Sequence, residues 1–211
     1  METYINKDTK IYCSFTQKAG NRGCMFFNNA FKERGINAIY RSFSVDNIVT
    51  ALQSAKYLGF SGCAISMPFK TQAYALMDKL DTTAILSGSV NTILFTEDGL
   101  KGFNTDYIGA KKVIETHNTS YKKIYILGKW GLATAVKAAS LSLDLETEFI
   151  TRDNRDKIYE LKNSLIYNCT PLSLELDASN TYIDCSVETQ TGQELNLIQA
   201  KEQFKIYGYK Y

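Results

Sequence analysis

The chain has 211 residues, of which 45% are hydrophobic and 22% are charged, and its formal net charge at pH 7 is +2. These values are ordinary for a globular protein, and the mixed signs of charge argue against a nucleic-acid-binding or membrane-binding surface. A chain of this length can bury the core of one large domain or of two small ones.

The cysteine, histidine and hydropathy patterns argue against several further classes of protein. The five cysteines lie singly along the chain and His117 is the only histidine, so the sequence predicts neither a disulfide framework nor a metal site. The first ten residues are polar, and no apolar run approaches the ~20 residues of a membrane span. We therefore expect a cytoplasmic protein, and we interpret His117 as a helix-end residue rather than a catalytic base.

In the first half of the chain, apolar residues alternate between strand-like and helix-like spacing. In chain order, the predicted elements are a strand at Lys10–Phe15, a helix at Met25–Arg34, a strand at Ala38–Phe43, a helix at Val45–Leu58, a strand at Gly62–Met67 and a helix at Lys70–Leu80. A hairpin is predicted next, with strands at Ser89–Thr96 and Gly99–Gly102 around the turn signal Glu97-Asp98-Gly99.

The second half continues the alternation. Its predicted elements are a helix at Tyr107–His117, a strand at Lys123–Leu127, a helix at Leu132–Leu143, strands at Glu146–Thr151, Ser164–Asn168 and Tyr182–Cys185, and a helix at Leu195–Tyr207. Strands that alternate with helices predict βαβ units and a mainly parallel sheet, and hence an α/β fold.

Three short polar segments follow apolar strands in the first half: Ser66-Met-Pro-Phe-Lys70, Ser89-Val-Asn-Thr92 and Gly102-Phe-Asn-Thr-Asp106. In open α/β sheets, ligands bind at such strand ends. A lysine beside a carboxylate can act as a general acid or base, and an amide can both donate to and accept from a hydroxylated ligand. On spacing alone, a surface lysine, a turn asparagine and an N-cap aspartate are the favoured interpretation.

The order and separation of these segments resemble the patterns T-(V/I)-P-F-K, (A/S)-V-N-T and N-T-D-x-x-G of the shikimate dehydrogenase family. The resemblance implies that Lys70 and Asp106 form the catalytic pair, in contact with each other in a cleft between two lobes. It also implies that Asn91 binds substrate hydroxyls, and that Ser66 takes the place of the family's substrate-binding threonine.

Two more segments extend the substrate side of the resemblance. Gly192–Phe204 resembles the family's G-x-x-M-L-x-x-Q-A-x-x-x-F, which implies that Gln199 binds substrate. Near the N-terminus, the two serines of the family's S-x-S-P-x-x-H-N-x-x-F fall on Asn21 and Gly23, so the chain is closest to the shikimate dehydrogenase-like subgroup, which lacks the usual serine pair. Asn21, the backbone of the glycine turn, or Arg22 could bind the substrate carboxylate instead, although Arg22 could equally be a solvated turn residue.

A glycine-rich turn between a predicted strand and helix resembles the family's G-x-G-G-x-A pattern. Gly128, Gly131 and Ala133 match the pattern, which implies that they bind the pyrophosphate of NADP at a helix N-terminus. Trp130 occupies the middle glycine, where the backbone must approach the ligand. Either the indole blocks the cofactor, or the turn reshapes and the indole points away.

Two later segments resemble cofactor-side loops of the same family. Arg152 and Arg155 match N-R-T-x-x-(R/K), which implies contact with the 2′-phosphate and a preference for NADP over NAD. A charged loop at a helix start is the alternative interpretation, and Asp153 weakens the positive field. Asn168–Leu172 resembles N-x-T-P-x-G, which implies that Thr170 is a further cofactor residue.

The resemblance covers nearly the whole chain and implies a substrate-binding domain at residues 1–104 plus 192–211 and a shortened Rossmann-like NADP-binding domain at residues 105–191. The implied reaction is the NADP-dependent interconversion of 3-dehydroshikimate and shikimate, in chorismate and aromatic amino acid biosynthesis, with Lys70 supplying the proton. Two alternatives remain: a non-catalytic or regulatory polyol-binding protein that has lost efficient cofactor binding, and a dehydrogenase for a different polyol or keto acid. We expect a small-molecule substrate, no nucleic-acid or membrane partner, and a monomer or homodimer.

Overall fold

The computed structural model describes residues 5–118, 120–129 and 131–211. The chain divides into two compact units, one made of Met1–Thr105 with Ala200–Tyr211 and the other of Asp106–Gln199. Each unit contains a β-sheet with helices packed on it, which confirms the predicted α/β fold class. The predicted functional roles and boundaries of the two domains stay predictions.

The first unit is built around one mixed sheet. Its elements in chain order are β1 (Lys10–Thr16), α1 (Arg22–Glu33), β2 (Ala38–Ser44), α2 (Ile48–Tyr57), β3 (Gly62–Ile65), α3 (Lys70–Tyr74), β4 (Lys79–Leu80), α4 (Thr82–Ser87), β5 (Thr92–Thr96) and β6 (Gly99–Phe103). The six strands are ordered β2-β1-β3-β5-β6-β4. β1 pairs in parallel with β2 and β3, whereas β5 pairs antiparallel with β3 and β6, so the predicted hairpin is confirmed.

Both faces of this sheet are covered, because successive side chains of a strand point to opposite faces. Tyr12 packs in an aromatic cluster with Phe27 and Phe31 of α1 and with Phe204. Its neighbour Cys13 packs in the other cluster, with the buried side chains of α2. The buried strands β1 and β3 therefore hold the segments that follow them in fixed positions.

The second unit contains an all-parallel sheet. Its elements are α5 (Thr105–His117), β7 (Lys123–Leu127), α6 (Leu132–Leu141), β8 (Glu146–Ile150), a 3₁₀ segment (Arg152–Glu160), β9 (Leu165–Asn168), β10 (Thr181–Asp184) and α7 (Gln190–Ile206), whose last turns belong to the first unit. The strand order is β10-β9-β7-β8. The chain passes from β7 to β8 on one side and then to β9 on the other, so the strand order reverses at β7, which is where open α/β sheets bind ligands.

The predicted helix at Lys70–Leu80 is wrong in its second half. Helix α3 ends at Tyr74, and the last two residues form β4, which pairs with β6. The Asp78 carboxylate accepts a hydrogen bond of 2.7 Å from the backbone N–H of Leu100. This long-range bond to β6 ends the helical path, and sequence spacing gives no sign of it.

Helix α4, at Thr82–Ser87, was not predicted. The Asp81 side chain caps its start by accepting from the backbone N–H of Thr83 at 3.0 Å, and Gly88 ends it in the left-handed region at φ 63°. The cap and the terminating glycine are both ordinary helix signals. The helix is too short for its apolar spacing to stand out.

The 3₁₀ segment at Arg152–Glu160 was also not predicted, because its polar sequence lacks an apolar repeat. The side chain of Asn154 begins it by accepting from the backbone N–H of Thr151 at 2.7 Å. Helix α7 begins at Gln190, earlier than the predicted start at Leu195. Among the described helices, none is long and apolar enough to cross a membrane.

Candidate functional site

The loops that follow β7, β8 and β9 surround a cavity of about 840 Å³ in the second unit. This volume lies in the range of roughly 300–1,000 Å³ that small-molecule sites occupy. The lining residues are Leu127, Gly128, Lys129, Thr151, Arg152, Asp153, Arg155, Thr170, Pro171 and Leu172. Four of the six predicted cofactor residues are in this lining, beside the strand at which the order reverses.

The glycine-rich turn needs its glycines for two separate reasons. Gly128 has a φ of 105°, and a Cβ added there would lie 3.3 Å from the Thr170 methyl carbon. Its backbone N–H donates to the carbonyl of Ile150 at 2.9 Å, which joins the turn to the end of β8. Gly131 has a φ of 66° directly before α6. Ala133, the third matching residue, is completely buried in the core rather than exposed to the cavity.

The charged residues of the lining favour an anionic ligand. Lys129, Arg152 and Arg155 bring positive charge to the cavity, against the single negative charge of Asp153. A guanidinium matches the geometry of a phosphate through paired N–H donors. The arrangement can therefore bind a phosphorylated molecule, as the sequence predicted for the two arginines.

Thr170 is held in its position by a residue that sequence reasoning did not single out. Asn168 ends β9 and is completely buried, and its Oδ1 accepts from both the Thr170 backbone N–H at 2.9 Å and the Thr170 hydroxyl at 2.7 Å. One buried amide thus fixes both the backbone and the rotamer of Thr170. The position of an asparagine at the end of a buried strand was the available signal.

Two cysteines, Cys169 after β9 and Cys185 after β10, are unsuited to nucleophilic chemistry at neutral pH. Burial, followed by the nearby charge of Asp184, raises the pKa of the Cys185 thiol to about 11. Burial also raises the pKa of Cys169 well above its ordinary range. Since the thiolate is the reactive form, neither cysteine is prepared to act as a nucleophile.

In the first unit, the predicted residues Ser66 and Lys70 follow β3. The backbone N–H of Ser66 donates to the Phe15 carbonyl at 3.0 Å, and its side chain is exposed. Lys70 is half-buried at the start of α3, and its carbonyl accepts from the Val90 backbone N–H at 3.0 Å. This bond ties the start of α3 to the segment that carries Asn91.

Asn91 is buried and is already part of a polar network. Its Oδ1 accepts from the Thr105 backbone N–H at 2.8 Å and from the Thr92 hydroxyl at 2.9 Å. Its Nδ2 donates to the Thr105 hydroxyl at 3.0 Å. An amide has two N–H hydrogens, and among the described residues Nδ2 makes this one side-chain bond, which leaves the second hydrogen for a ligand hydroxyl. Asn91 therefore positions the start of α5, and its second Nδ2 hydrogen can donate to a ligand.

Asp106 and Gln199 are brought together within the second unit. The Gln199 Nε2 donates to the Asp106 Oδ1 at 3.0 Å, and Asp106 is almost completely buried. Gly109 allows this contact, because a Cβ there would lie 3.0 Å from the Gln199 Cγ and 2.9 Å from a Leu195 methyl carbon. The glycine of the N-T-D-x-x-G pattern is thus explained by the close approach of α5 and α7.

The structure leaves Asn21 exposed at the start of α1, and its side chain makes no capping bond. A hydroxyl pair that sequence reasoning missed lies on the neighbouring strands β1 and β2. The Ser14 hydroxyl donates to the Ser42 hydroxyl at 2.8 Å, and the Cys24 sulfur lies 3.3 Å from the same Ser42 oxygen. The signal was a repeated Tyr-x-Ser pattern in two strands that pair in register.

No metal centre is present in the part of the chain that the structure describes. Within those residues, no group of three or more histidine, cysteine, aspartate or glutamate side chains could hold a metal ion.

Comparison with known proteins gives a consistent result. The family model for the substrate-binding domain of shikimate dehydrogenase matches residues 22–93. A shikimate dehydrogenase-like protein of Haemophilus influenzae is 38% identical over 136 residues, which are 64% of this chain and 50% of that protein. A shikimate dehydrogenase (NADP(+)) of Methanococcoides burtonii is 40% identical over 113 residues, which are 52% of this chain and 41% of that protein. The chain spans about half the length of the curated relatives that it matches.

A solved structure of a shikimate 5-dehydrogenase-like protein is also similar, with a TM-score of 0.83 and 27% sequence identity, over 97% of this chain and 93% of that chain. The chain is therefore similar to shikimate dehydrogenases both in sequence and in fold. The similarity to a shikimate dehydrogenase-like protein in sequence, and to a structure of that description in fold, also confirms the predicted relation to that subgroup.

Two predictions from the shikimate dehydrogenase family pattern remain predictions. Trp130 lies outside the described residues, so its predicted effect on the turn stays a prediction. Lys70 belongs to the first unit and Asp106 to the second, so their predicted pairing stays a prediction as well.

Proposed function

We propose that this chain is an NADP-dependent oxidoreductase that interconverts 3-dehydroshikimate and shikimate. The similarity to shikimate dehydrogenases supports the reaction class. The single observation that carries the proposal is the cavity at the strand-order reversal, in which the glycine turn, the two arginines and Thr170 border one space.

The residues of this cavity fit NADP. The turn at Gly128 presents backbone to the cavity, as close approach to a pyrophosphate requires. Arg152 and Arg155 would hold the 2′-phosphate, and Thr170 would contact an uncharged part of the molecule. When bound, NADP would supply the hydride donor or acceptor that the reaction needs. The relative from Methanococcoides burtonii is itself named as an NADP(+) enzyme.

On the substrate side, Lys70 would exchange the proton with the oxygen atom of the reacting carbon, and Asp106 would orient it. The spare amide hydrogen of Asn91 and the side chains of Gln199 and Ser66 would bind hydroxyl groups. For the carboxylate, Asn21 remains a candidate. The Ser14 and Ser42 pair adds hydroxyl donors of the same kind on the same unit.

The proposal is tested by calorimetric titration of the purified chain with NADP⁺, with and without shikimate, together with assays of shikimate oxidation. We expect NADP⁺ to bind more tightly than NAD⁺, and Arg152→Ala to weaken NADP⁺ more than NAD⁺. We expect Lys70→Met to lower kcat by about 10²–10⁴-fold, the usual contribution of a general acid, without weakening NADP⁺. Lys79→Met is the matched control, because Lys79 is exposed and pairs with Asp98 at 2.8 Å, away from the predicted site residues.

The possible failures have different meanings. Shikimate binding without NADP⁺ binding would favour the non-catalytic polyol-binding protein. NADP⁺ binding without turnover of shikimate would favour a dehydrogenase for a different polyol or keto acid. Equal loss of NADP⁺ and NAD⁺ affinity in Arg152→Ala would remove the argument for the 2′-phosphate.

A further inference from the structure

One wall of the cavity is a short loop that a single buried amide holds at both ends. Thr170, Pro171 and Leu172 form this wall. Besides the two bonds from Thr170 to its Oδ1, Asn168 donates from Nδ2 to the Leu172 carbonyl at 2.7 Å. The position of the wall therefore depends on the orientation of the Asn168 amide.

A buried carboxylate on the neighbouring strand sets that orientation. Asp184 ends β10 directly opposite Asn168 and is 6% exposed. Its Oδ2 accepts from the Asn168 Nδ2 at 3.0 Å and from the Tyr182 hydroxyl at 2.9 Å, and its Oδ1 accepts from the Ser186 backbone N–H at 2.7 Å. The Asn168 Nδ2 also lies 2.9 Å from the Tyr182 hydroxyl oxygen, so the amide hydrogen that is not donated to Leu172 is shared between Tyr182 and Asp184. Because a carboxylate can only accept, the amide must turn its NH₂ group toward Asp184 and its oxygen toward Thr170.

The state of the Tyr182 hydroxyl agrees with this network. Burial, together with its hydrogen bond to Asp184, raises the pKa of Tyr182 above its ordinary value. The phenol therefore stays protonated and donates to the carboxylate. The side-chain oxygens of Asp184 accept only from neutral donors among the described residues, so these donors hold the carboxylate in one orientation.

The orientation of the Asn168 amide determines which hydrogen bonds the Thr170 hydroxyl can make toward the cavity. A threonine hydroxyl has one hydrogen, and this one is donated to Asn168 at 2.7 Å. One of its lone pairs receives a longer bond of 3.3 Å from the Leu172 backbone N–H. Toward the cavity, the Thr170 oxygen can then only accept a hydrogen bond.

We infer that Asp184, acting through Asn168, holds Thr170 as a hydrogen-bond acceptor, so that the ligand group at this wall is a hydrogen-bond donor and not a phosphate. Asp184 and Asn168 are positioning residues, and Thr170 is the residue that selects the ligand group. The inference rests on the proposed binding of NADP, for which the donor is a ribose hydroxyl, the amino group of the adenine or the carboxamide N–H of the nicotinamide. The phosphates would instead bind at the side of the cavity that carries Arg152 and Arg155.

The positioning part is tested without any ligand, by hydrogen exchange of the Thr170 backbone amide. We expect Asp184→Asn to speed this exchange at least tenfold. An asparagine at 184 has an NH₂ group in place of one carboxylate oxygen, and this group must face another donor, either the Ser186 N–H or the Asn168 NH₂. Asp177→Asn is the matched control, since Asp177 is exposed and is not bonded to the loop. Unchanged exchange in a folded Asp184→Asn variant overturns the positioning role.

The ligand part is tested by calorimetry with NADP⁺. We expect Thr170→Val to weaken binding about tenfold, which corresponds to about 1.4 kcal/mol, and Thr170→Ser to stay within about twofold of the parent chain. If Thr170 faced a phosphate instead, removing its oxygen would leave affinity unchanged or increase it, and either result overturns the inference. Thr170→Val also keeps this test independent of whether Asp184→Asn folds.

The link between the two residues is tested by combining the variants. If Asp184 acts through the Thr170 hydroxyl, Asp184→Asn should weaken NADP⁺ binding in the parent chain but change it less than twofold in the Thr170→Val background. Fully additive losses would mean that Asp184 is only a general structural residue, and would overturn the inference.

The 3-acetylpyridine analogue of NADP⁺, which lacks the carboxamide N–H, distinguishes the two donors. The loss in Thr170→Val should vanish with this analogue if the carboxamide is the donor, and should persist if a ribose hydroxyl or the adenine amino group is. Absence of NADP⁺ binding to the parent chain would overturn the proposed function and the ligand part of this inference. The exchange measurement would still decide the positioning part.

Discussion

Replacing Gly109 with alanine tests the explanation of the close contact between α5 and α7. The added Cβ would lie 2.9 Å from a Leu195 methyl carbon and 3.0 Å from the Gln199 Cγ. The methyl group can move aside, because it is the end of a flexible side chain. The Gln199 Cγ can move only with the rest of its side chain, whose Nε2 donates to Asp106 at 3.0 Å.

Two opposing terms set the size of the effect. Alanine is more favourable than glycine inside a helix by roughly 0.8–1 kcal/mol. Extra atoms in a packed contact cost typically about 1–3 kcal/mol. We therefore expect Gly109→Ala to lower the free energy of unfolding by about 1 kcal/mol. For a chain of this size, that corresponds to a fall in Tm of about 2–4 °C.

The assay is thermal and denaturant unfolding of Gly109→Ala beside Gly20→Ala. Gly20 has nothing within 4 Å of the position of its missing Cβ, so its replacement should leave stability unchanged or raise it by about 0.4–1 kcal/mol. If the proposed function holds, Gly109→Ala should also raise KM for shikimate, because Gln199 moves. A stability gain of about 1 kcal/mol in Gly109→Ala would show that the two helices are not in close contact, and would refute the explanation.

Two further predictions concern buried groups of the second unit. Because the pKa of Cys185 is about 11, its rate of alkylation by iodoacetamide should rise about tenfold per pH unit from pH 7 to 10. The rate for a thiol of ordinary pKa, about 8.5, levels off in this range. A plateau near pH 9, measured by peptide mass spectrometry, would show that burial does not raise the pKa of this thiol. The Tyr167 hydroxyl is buried without a hydrogen-bond partner among the described residues, so Tyr167→Phe should leave the free energy of unfolding unchanged or raise it by up to about 1 kcal/mol. A loss of stability in calorimetric unfolding would mean that this hydroxyl has a partner.

The sequence predicted the elements whose apolar spacing is strong. The buried strands at Gly62–Ile65 and Lys123–Leu127 and the hairpin of β5 and β6 are found close to their predicted positions. The apolar residues of these strands are buried in the core, so the local hydrophobic pattern and the final fold agree. The helix predicted at Lys70–Leu80 failed for the opposite reason, because the Asp78 bond to a distant strand decides where the chain turns.

For the candidate site, the family pattern supplied the residues and the structure supplied their grouping. The family pattern assigned both Arg152 and Thr170 to the cofactor, but residue spacing does not show that they meet; the parallel order of β8, β7 and β9 brings them to the same edge. Residue spacing also gave no role to Asn168 or Asp184, because their effect depends on the register between β9 and β10. Spacing along the chain carries no information about which strands become neighbours.

The division of the chain gives a physical reason to separate cofactor binding from substrate binding. The cavity is built entirely from residues of the unit Asp106–Gln199, at the reversal point of a four-stranded parallel sheet. Asn91 and the Ser14 hydroxyl lie in the other unit, which has its own core. The cavity therefore depends on one packed sheet, whereas the positions of Asn91 and Ser14 depend on the other. A change that disrupts the glycine turn should weaken NADP⁺ while leaving the polar network around Asn91 intact, so measurements of the two ligands must be made independently.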